Sequence, residues 1–94
     1  MIATKTLDGL IVRDPEIHHG RPIIANTGIT VRAIAIMYKQ GLDPEEISGE
    51  LPLTLAQVYA ALTYYHLHTD EIEADIQADS EEALIAQYGR SLHG

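Results

Sequence analysis

The stretch VRAIAIMYKQGLDPEEISGELPLTLAQVYAALTYY, from Val31 to Tyr65, decides the fold. Its punctuation marks three helices. Thr30 is a start signal directly before the apolar-periodic run Val31 to Tyr38, and Gly41 stops that run, with Lys39 and Gln40 in its last turn. Asp43, Pro44 and Glu46 supply the N-cap, the first helical position and the third position after the cap of a second, short helix. Thr54 and Gln57 form another capping box ahead of a third helix over 55–65. A long helix, a short helix, a four-residue break at 51–54 and a long helix make the outline of a helix-turn-helix unit.

Apolar spacing gives each helix a core face. On the first, Val31, Ile34, Met37 and Tyr38 share one side, and Ile36 lies off it, which predicts burial on two sides. The second contributes Ile47, followed by Leu51. On the third, Leu55, Val58, Tyr59, Leu62 and Tyr65 recur at three and four, leaving Gln57, Ala60, Ala61 and Tyr64 as a small, neutral opposite face.

Towards the N-terminus the period changes from helix to strand. Leu10 to Arg13 is a short β-type run, closed by Asp14-Pro15, because proline cannot donate to a ladder. His18-His19-Gly20 reads as a turn. Arg21 to Ala25 is a second run, and Pro22 suits an edge. Asn26-Thr27-Gly28 reads as a three-residue hairpin loop with Gly28 in the left-handed position, and 29–31 as the return. Residues 1–9 carry no strong pattern. An isolated hairpin is marginal in water, so this β element must pack on the helices or pair with a second subunit.

Towards the C-terminus, His66 and His68 interrupt the periodicity and Thr69-Asp70-Glu71 restarts a helix, with acids where the helix dipole favours them. Ile72, Ile76, Leu84, Ile85 and Tyr88 form a thin apolar stripe. Glu71, Glu73, Asp75, Asp79, Glu81 and Glu82 meet no cation before Arg90. Ser80 offers a fresh cap, so the arm is one helix or two. Gly89 is its natural stop.

Composition bounds the function. Ninety-four residues make one domain, 1–94, divided into a β element (1–31), a helix-turn-helix core (31–65) and an acidic arm (69–89). Such a chain buries only roughly 60–65% of its unfolded surface, so a partner or a second copy helps to stabilise it. Apolar residues make up 46% of the chain, without Trp, Phe or Cys, so aliphatic residues and five tyrosines build the core, and thiolate chemistry is excluded. The apolar runs are too short to span a bilayer and no signal-peptide pattern is evident, so a soluble, cytoplasmic protein is expected. The net charge is −8, with only Lys5, Arg13, Arg21, Arg32, Lys39 and Arg90 positive. Phosphate binding draws on Lys and Arg, whereas this balance favours a basic protein partner.

Each candidate site has a plain structural counterpart. His18-His19 and His66-x-His68, even with Asp70, lack the spacing of a metal-ligand set and read as solvated. No Gly-rich phosphate loop, GxSxG or HExxH occurs, so no catalytic residue, metal or cofactor is expected and the chain is read as a non-enzyme. For DNA, the start of helix three offers Leu55, Ala56, Gln57 and Ala60; Gln57 can pair with adenine, and Arg21, Arg32 and Lys39 are the candidate phosphate contacts. Helix three itself has no Lys or Arg, and a scaffold without DNA fits better than DNA contact by this chain alone. The arm offers Ile72, Glu73, Ile76, Leu84 and Ile85 to a partner's basic groove, or packs on its own core or a second copy.

Asp14-Pro15-Glu16-Ile17, then Gly20-Arg21-Pro22, Ile24, Thr27, Ile29 and Val31, resemble the opening of the bacterial family known as domain of unknown function 433. The likeness continues through Tyr38 to Leu42, Pro44 to Ile47, Leu53-Thr54-Leu55, Val58, Ala60-Ala61-Leu62 and Tyr65, covering roughly residues 10–72. It implies a homeodomain-like or winged helix-turn-helix domain behind a small β element. It also implies an antitoxin-like role beside a small PIN-type nuclease toxin. Two arginines usual in that family, at positions 25 and 28, are here Ala25 and Gly28, while Arg21 remains.

The expectation is therefore a mainly helical α+β protein: an N-terminal β-hairpin, a trihelical helix-turn-helix core and a C-terminal helical arm. It should form a homodimer through the β element, since short edge strands favour pairing. The leading function is antitoxin-like neutralisation of a PIN-type ribonuclease through the acidic arm. The alternatives are a DNA-binding autoregulator bound to operator DNA, or a dimeric scaffold.

Overall fold

The computed structural model describes residues 4–78. It contains three short strands, a single 3-10 turn at His18–Gly20 and four α-helices: β1 (Thr4–Thr6), β2 (Ile11–Arg13), β3 (Ile23–Ile24), α1 (Val31–Lys39), α2 (Pro44–Glu50), α3 (Leu55–Leu67) and α4, helical over 69–78. The α+β architecture expected from the sequence is present. No helix among these residues is long and apolar enough to cross a membrane.

The sheet is antiparallel in the order β1-β2-β3, with Thr6 opposite Ile11 and Ile11 opposite Ile24. Ile11 and Ile24 point to the same face and are fully buried. β1 has no apolar alternation, because its three residues are all exposed. What forms it is the turn: Leu7, Asp8 and Gly9 take φ of 52°, 56° and 77°, and Gly9 N–H donates to the Thr6 carbonyl at 3.1 Å. Asp-Gly is a hairpin signal in its own right, and it lay in the segment without pattern.

The loop after β3 corrects the sequence reading. Asn26, with φ 63°, holds the left-handed position, and Gly28 does not. Asparagine tolerates that region, and the rest of the loop is fixed by a side chain. The Thr27 hydroxyl donates to the Ile24 carbonyl at 2.8 Å and accepts from Ile29 N–H at 3.0 Å. The return is a single bridge, Ile23 to Thr30, rather than a strand, because α1 begins at once.

Helix starts follow the predicted caps. The Thr30 hydroxyl accepts from Ala33 N–H at 3.0 Å. Asp43 accepts from Glu46 N–H at 2.8 Å while the Glu46 carboxylate accepts from Asp43 N–H at 3.1 Å. Thr54 and Gln57 make the same reciprocal pair at 3.2 and 2.7 Å. Each cap satisfies amide groups that the helix cannot, typically contributing about 1 kcal/mol. Between α2 and α3, the Ser48 hydroxyl closes on the Leu53 carbonyl at 3.0 Å.

The core lies where α1, α2 and α3 meet the sheet: Ile11, Ile24, Val31, Ile34, Ile47 and Val58 are all fully buried. Two predicted faces hold in part: Val31, Ile34, Val58, Leu62 and Tyr65 are buried as expected, and the rest differ. Tyr38 is 40% exposed, and Ala35 joins Val31 and Ile34 inside. On α3, Leu55 and Tyr59 are 41% and 53% exposed, whereas Ala60, Ala61 and Tyr64 of the supposed outer face are buried. The spacing cannot separate these faces, since α3 is apolar nearly all round and is sandwiched on two sides. The small Ala60 and Ala61 leave room for neighbouring elements to approach closely.

Candidate functional site

α4 begins where the sequence places it. α3 ends at Leu67, His68 breaks the helix at φ −130° and ψ 42°, and the Thr69 hydroxyl back-bonds to the Tyr65 and His66 carbonyls at 3.0 and 3.1 Å. The chain then folds back on its own domain. Ile72 is 1% exposed in the common core, and Ile76 packs against it.

That return places three of the four acids of α4 on cations drawn from the rest of the chain. Glu71 pairs with Arg13 of β2. Asp75 receives the Arg21 Nε–H at 2.9 and 3.0 Å and lies 3.8 Å from Arg32 of α1. Glu73 accepts from Lys39 at the end of α1, 2.6 Å away, and from the Tyr65 hydroxyl. The Lys39 and Tyr65 hydrogen bonds hold the Glu73 carboxyl below the usual carboxylate range. The Glu73 hydrogen bond, with burial and the carboxylate charge behind it, raises the Tyr65 phenol. Arg13 also donates from Nε to the Tyr64 hydroxyl at 2.8 Å, and His68 stacks on the Tyr64 ring with centroids 4.3 Å apart. A cleft of about 250 Å³ opens beside this network, walled by Arg13, Arg21, Glu71 and Asp75.

The candidate residues therefore occupy unequal positions. Arg21, Arg32 and Lys39, expected on phosphates, are engaged by carboxylates of α4. Gln57 is half-buried and holds its own capping box. Of the arm residues expected on a partner, Ile72 is a core residue and Ile76 is half-buried against that core, while Glu73 is held by Lys39 and Tyr65. Leu84 and Ile85 lie outside the described residues, as do Tyr88 and Gly89. No group of three His, Asp or Glu side chains among the described residues converges on a metal position.

Sequence reasoning missed the exposed face of α3. Leu55, Tyr59 and Leu67 stand out from it, with Tyr38 of α1 edge-on to His66 at 6.1 Å between ring centroids. One signal was available. From Leu55 to Leu67 the helix holds no Asp, Glu, Lys or Arg, while a chain of this size buries only a modest core.

The solved crystal structure of a DUF433 member protein from Anabaena variabilis superimposes with a TM-score of 0.69 at 29% identity, covering 76% of this chain and 71% of that one. No curated protein matches the chain. The profile of the family described as protein of unknown function (DUF433) matches residues 11–65, from the second strand to the end of the third helix's core contacts. With more than half its length matched and the same fold in a solved member, this chain belongs to the DUF433 family.

Proposed function

We propose that this protein is an antitoxin-like binding module that neutralises a PIN-type ribonuclease, and that its acidic C-terminal arm contributes to the grip. The reading is carried by one observation: four of the five cations in residues 4–78 are paired with carboxylates of α4. Apart from Lys5, the charge that remains for an outside partner among the described residues is negative. Asp43, Glu45, Glu46 and Glu50 around α2 and Asp70 at the start of α4 are exposed. A nuclease holds RNA with Lys and Arg, and such a surface is the complement of this one. Because Ile72 and Glu73 serve this chain's own fold, the apolar part of the arm's grip falls to Leu84 and Ile85. Co-expression with the protein encoded by the neighbouring reading frame tests the proposal. A stable complex that inhibits RNA cleavage is expected, and free, fully active nuclease beside this chain overturns it.

Autoregulatory DNA binding is the second reading, supported by the order α1-α2-α3 and the short break before α3. Its cations would have to leave α4 first. A gel shift on upstream DNA at low salt, with and without the partner, decides it, and no shift in either case removes it.

A further inference from the structure

The exposed face of α3 is uncharged in a protein of net charge −8. Leu55, Tyr59, Thr63 and His66 follow one another along it at spacings of three and four, all exposed, with Leu67 at its end. Tyr38 of α1 extends the patch beside His66. Thirteen residues give the stripe a length of about 20 Å. Large side chains left outside, two of them tyrosines, together with absence of charge, are the composition of an interface centre. Its flank has the opposite character. α2 packs against α3 and carries the exposed acids Glu45, Glu46 and Glu50, and Glu50 closes α2 five residues before Leu55.

We propose that this α3 face, centred on Tyr59 and Leu55, is the principal docking surface for a protein partner that presents an apolar socket rimmed by lysine and arginine. The inference rests on the protein-binding reading above and moves the centre of contact from the acidic arm to α3. Charge complementarity selects the occupant. A cationic rim meets the carboxylates of α2, whereas a second copy of this chain sets −8 against −8 and brings acids to acids. A nucleic-acid backbone finds no lysine or arginine on α3. The stripe alone is narrower than a standard interface side of about 800 Å², so α2 and Tyr38 complete the contact.

The test uses the full chain and, as probe, the purified protein of the neighbouring reading frame, with Leu55→Glu and Tyr59→Glu as variants. Both positions are open to solvent, so the variants should fold; circular dichroism and an unchanged Tm verify this. Loss of a central aromatic anchor should weaken the complex about 30-fold or more, and affinity should fall as salt is raised. A variant that folds and binds like wild type overturns the α3 assignment while leaving the protein-binding reading intact. A complex indifferent to salt overturns the cationic partner. Sedimentation of the chain alone covers the other occupant: a dimer dissolved by Tyr59→Glu makes a second copy the tenant of this face. No complex with any form overturns both readings together.

Discussion

Glu73 joins two elements that are distant in sequence, bridging Lys39 of α1 and Tyr65 of α3. Its carboxyl titrates below the ordinary 4.5, so the stability it contributes is present above that pH and is lost as pH falls through its folded value. Glu73→Gln should therefore be less stable than wild type at pH 7, and urea titrations at falling pH should show the gap closing below pH 4.5. Tyr65 runs the other way. Its phenol is raised above 10.0, so its contribution holds below pH 10 and is lost as pH rises through the folded value. Tyr65→Phe, which removes the hydroxyl bonded to Glu73, should cost about 1 kcal/mol at pH 7 in urea unfolding. Neither partnership was legible in the sequence. Glu73 sits in a run of acids that reads as a solvated face, and the lysine and the tyrosine that claim it lie in other elements.

α4 is the element whose meaning changed most between the chain read as letters and the chain folded. Ile72 and Ile76 one turn apart announce a stripe, but a stripe serves a partner or its own domain equally well. Folding sends Ile72 inward, to 1% exposure. Ile72→Ala should then cost about 2–5 kcal/mol by denaturant unfolding, the range for a large aliphatic side chain removed from a core, and a loss under 0.5 kcal/mol would mean that α4 is not docked. Asp75 is the polar counterpart, joining Arg21 and Arg32. Asp75→Asn should cost about 1–3 kcal/mol, between an exposed and a buried ion pair, as read by Tm and urea midpoint. Helix starts, by contrast, were legible to the residue. Asp43-Pro44-x-Glu46 and Thr54-x-x-Gln57 need only neighbours within one turn, and local chemistry settles them. Thr54→Ala should destabilise the protein by about 1 kcal/mol through the lost cap on α3.

Across the molecule, charge is partitioned rather than scattered. Arg13, Arg21, Arg32 and Lys39 come from β2, the segment before β3, and both ends of α1, and α4 answers them with Glu71, Asp75 and Glu73. Among the described residues, the surface outside this network is mainly acidic or, on α3, free of Lys, Arg, Asp and Glu, with Lys5 of β1 the exposed cation apart from it. If α4 withholds those cations from phosphate, the triple variant Glu71→Gln, Glu73→Gln, Asp75→Asn should retain more DNA than wild type on a low-salt filter-binding assay, with the gain abolished at high salt. Equal retention by the two proteins would show that the cations are not held back by α4.

The amino-acid order alone fixed the three helices of the core, their caps, the turn at His18–Gly20 and the acidic restart at Thr69, because each rests on contacts within about four residues. Family membership was also readable, in the order and spacing of short motifs from Asp14 to Tyr65. Tertiary structure decided which side of α3 faces out, where Tyr38 points, and where the arm's acids go. An apolar helix with no charge pattern has no preferred face until its neighbours arrive. An ion pair between residues as far apart as 21 and 75 exists only once the chain has closed on itself.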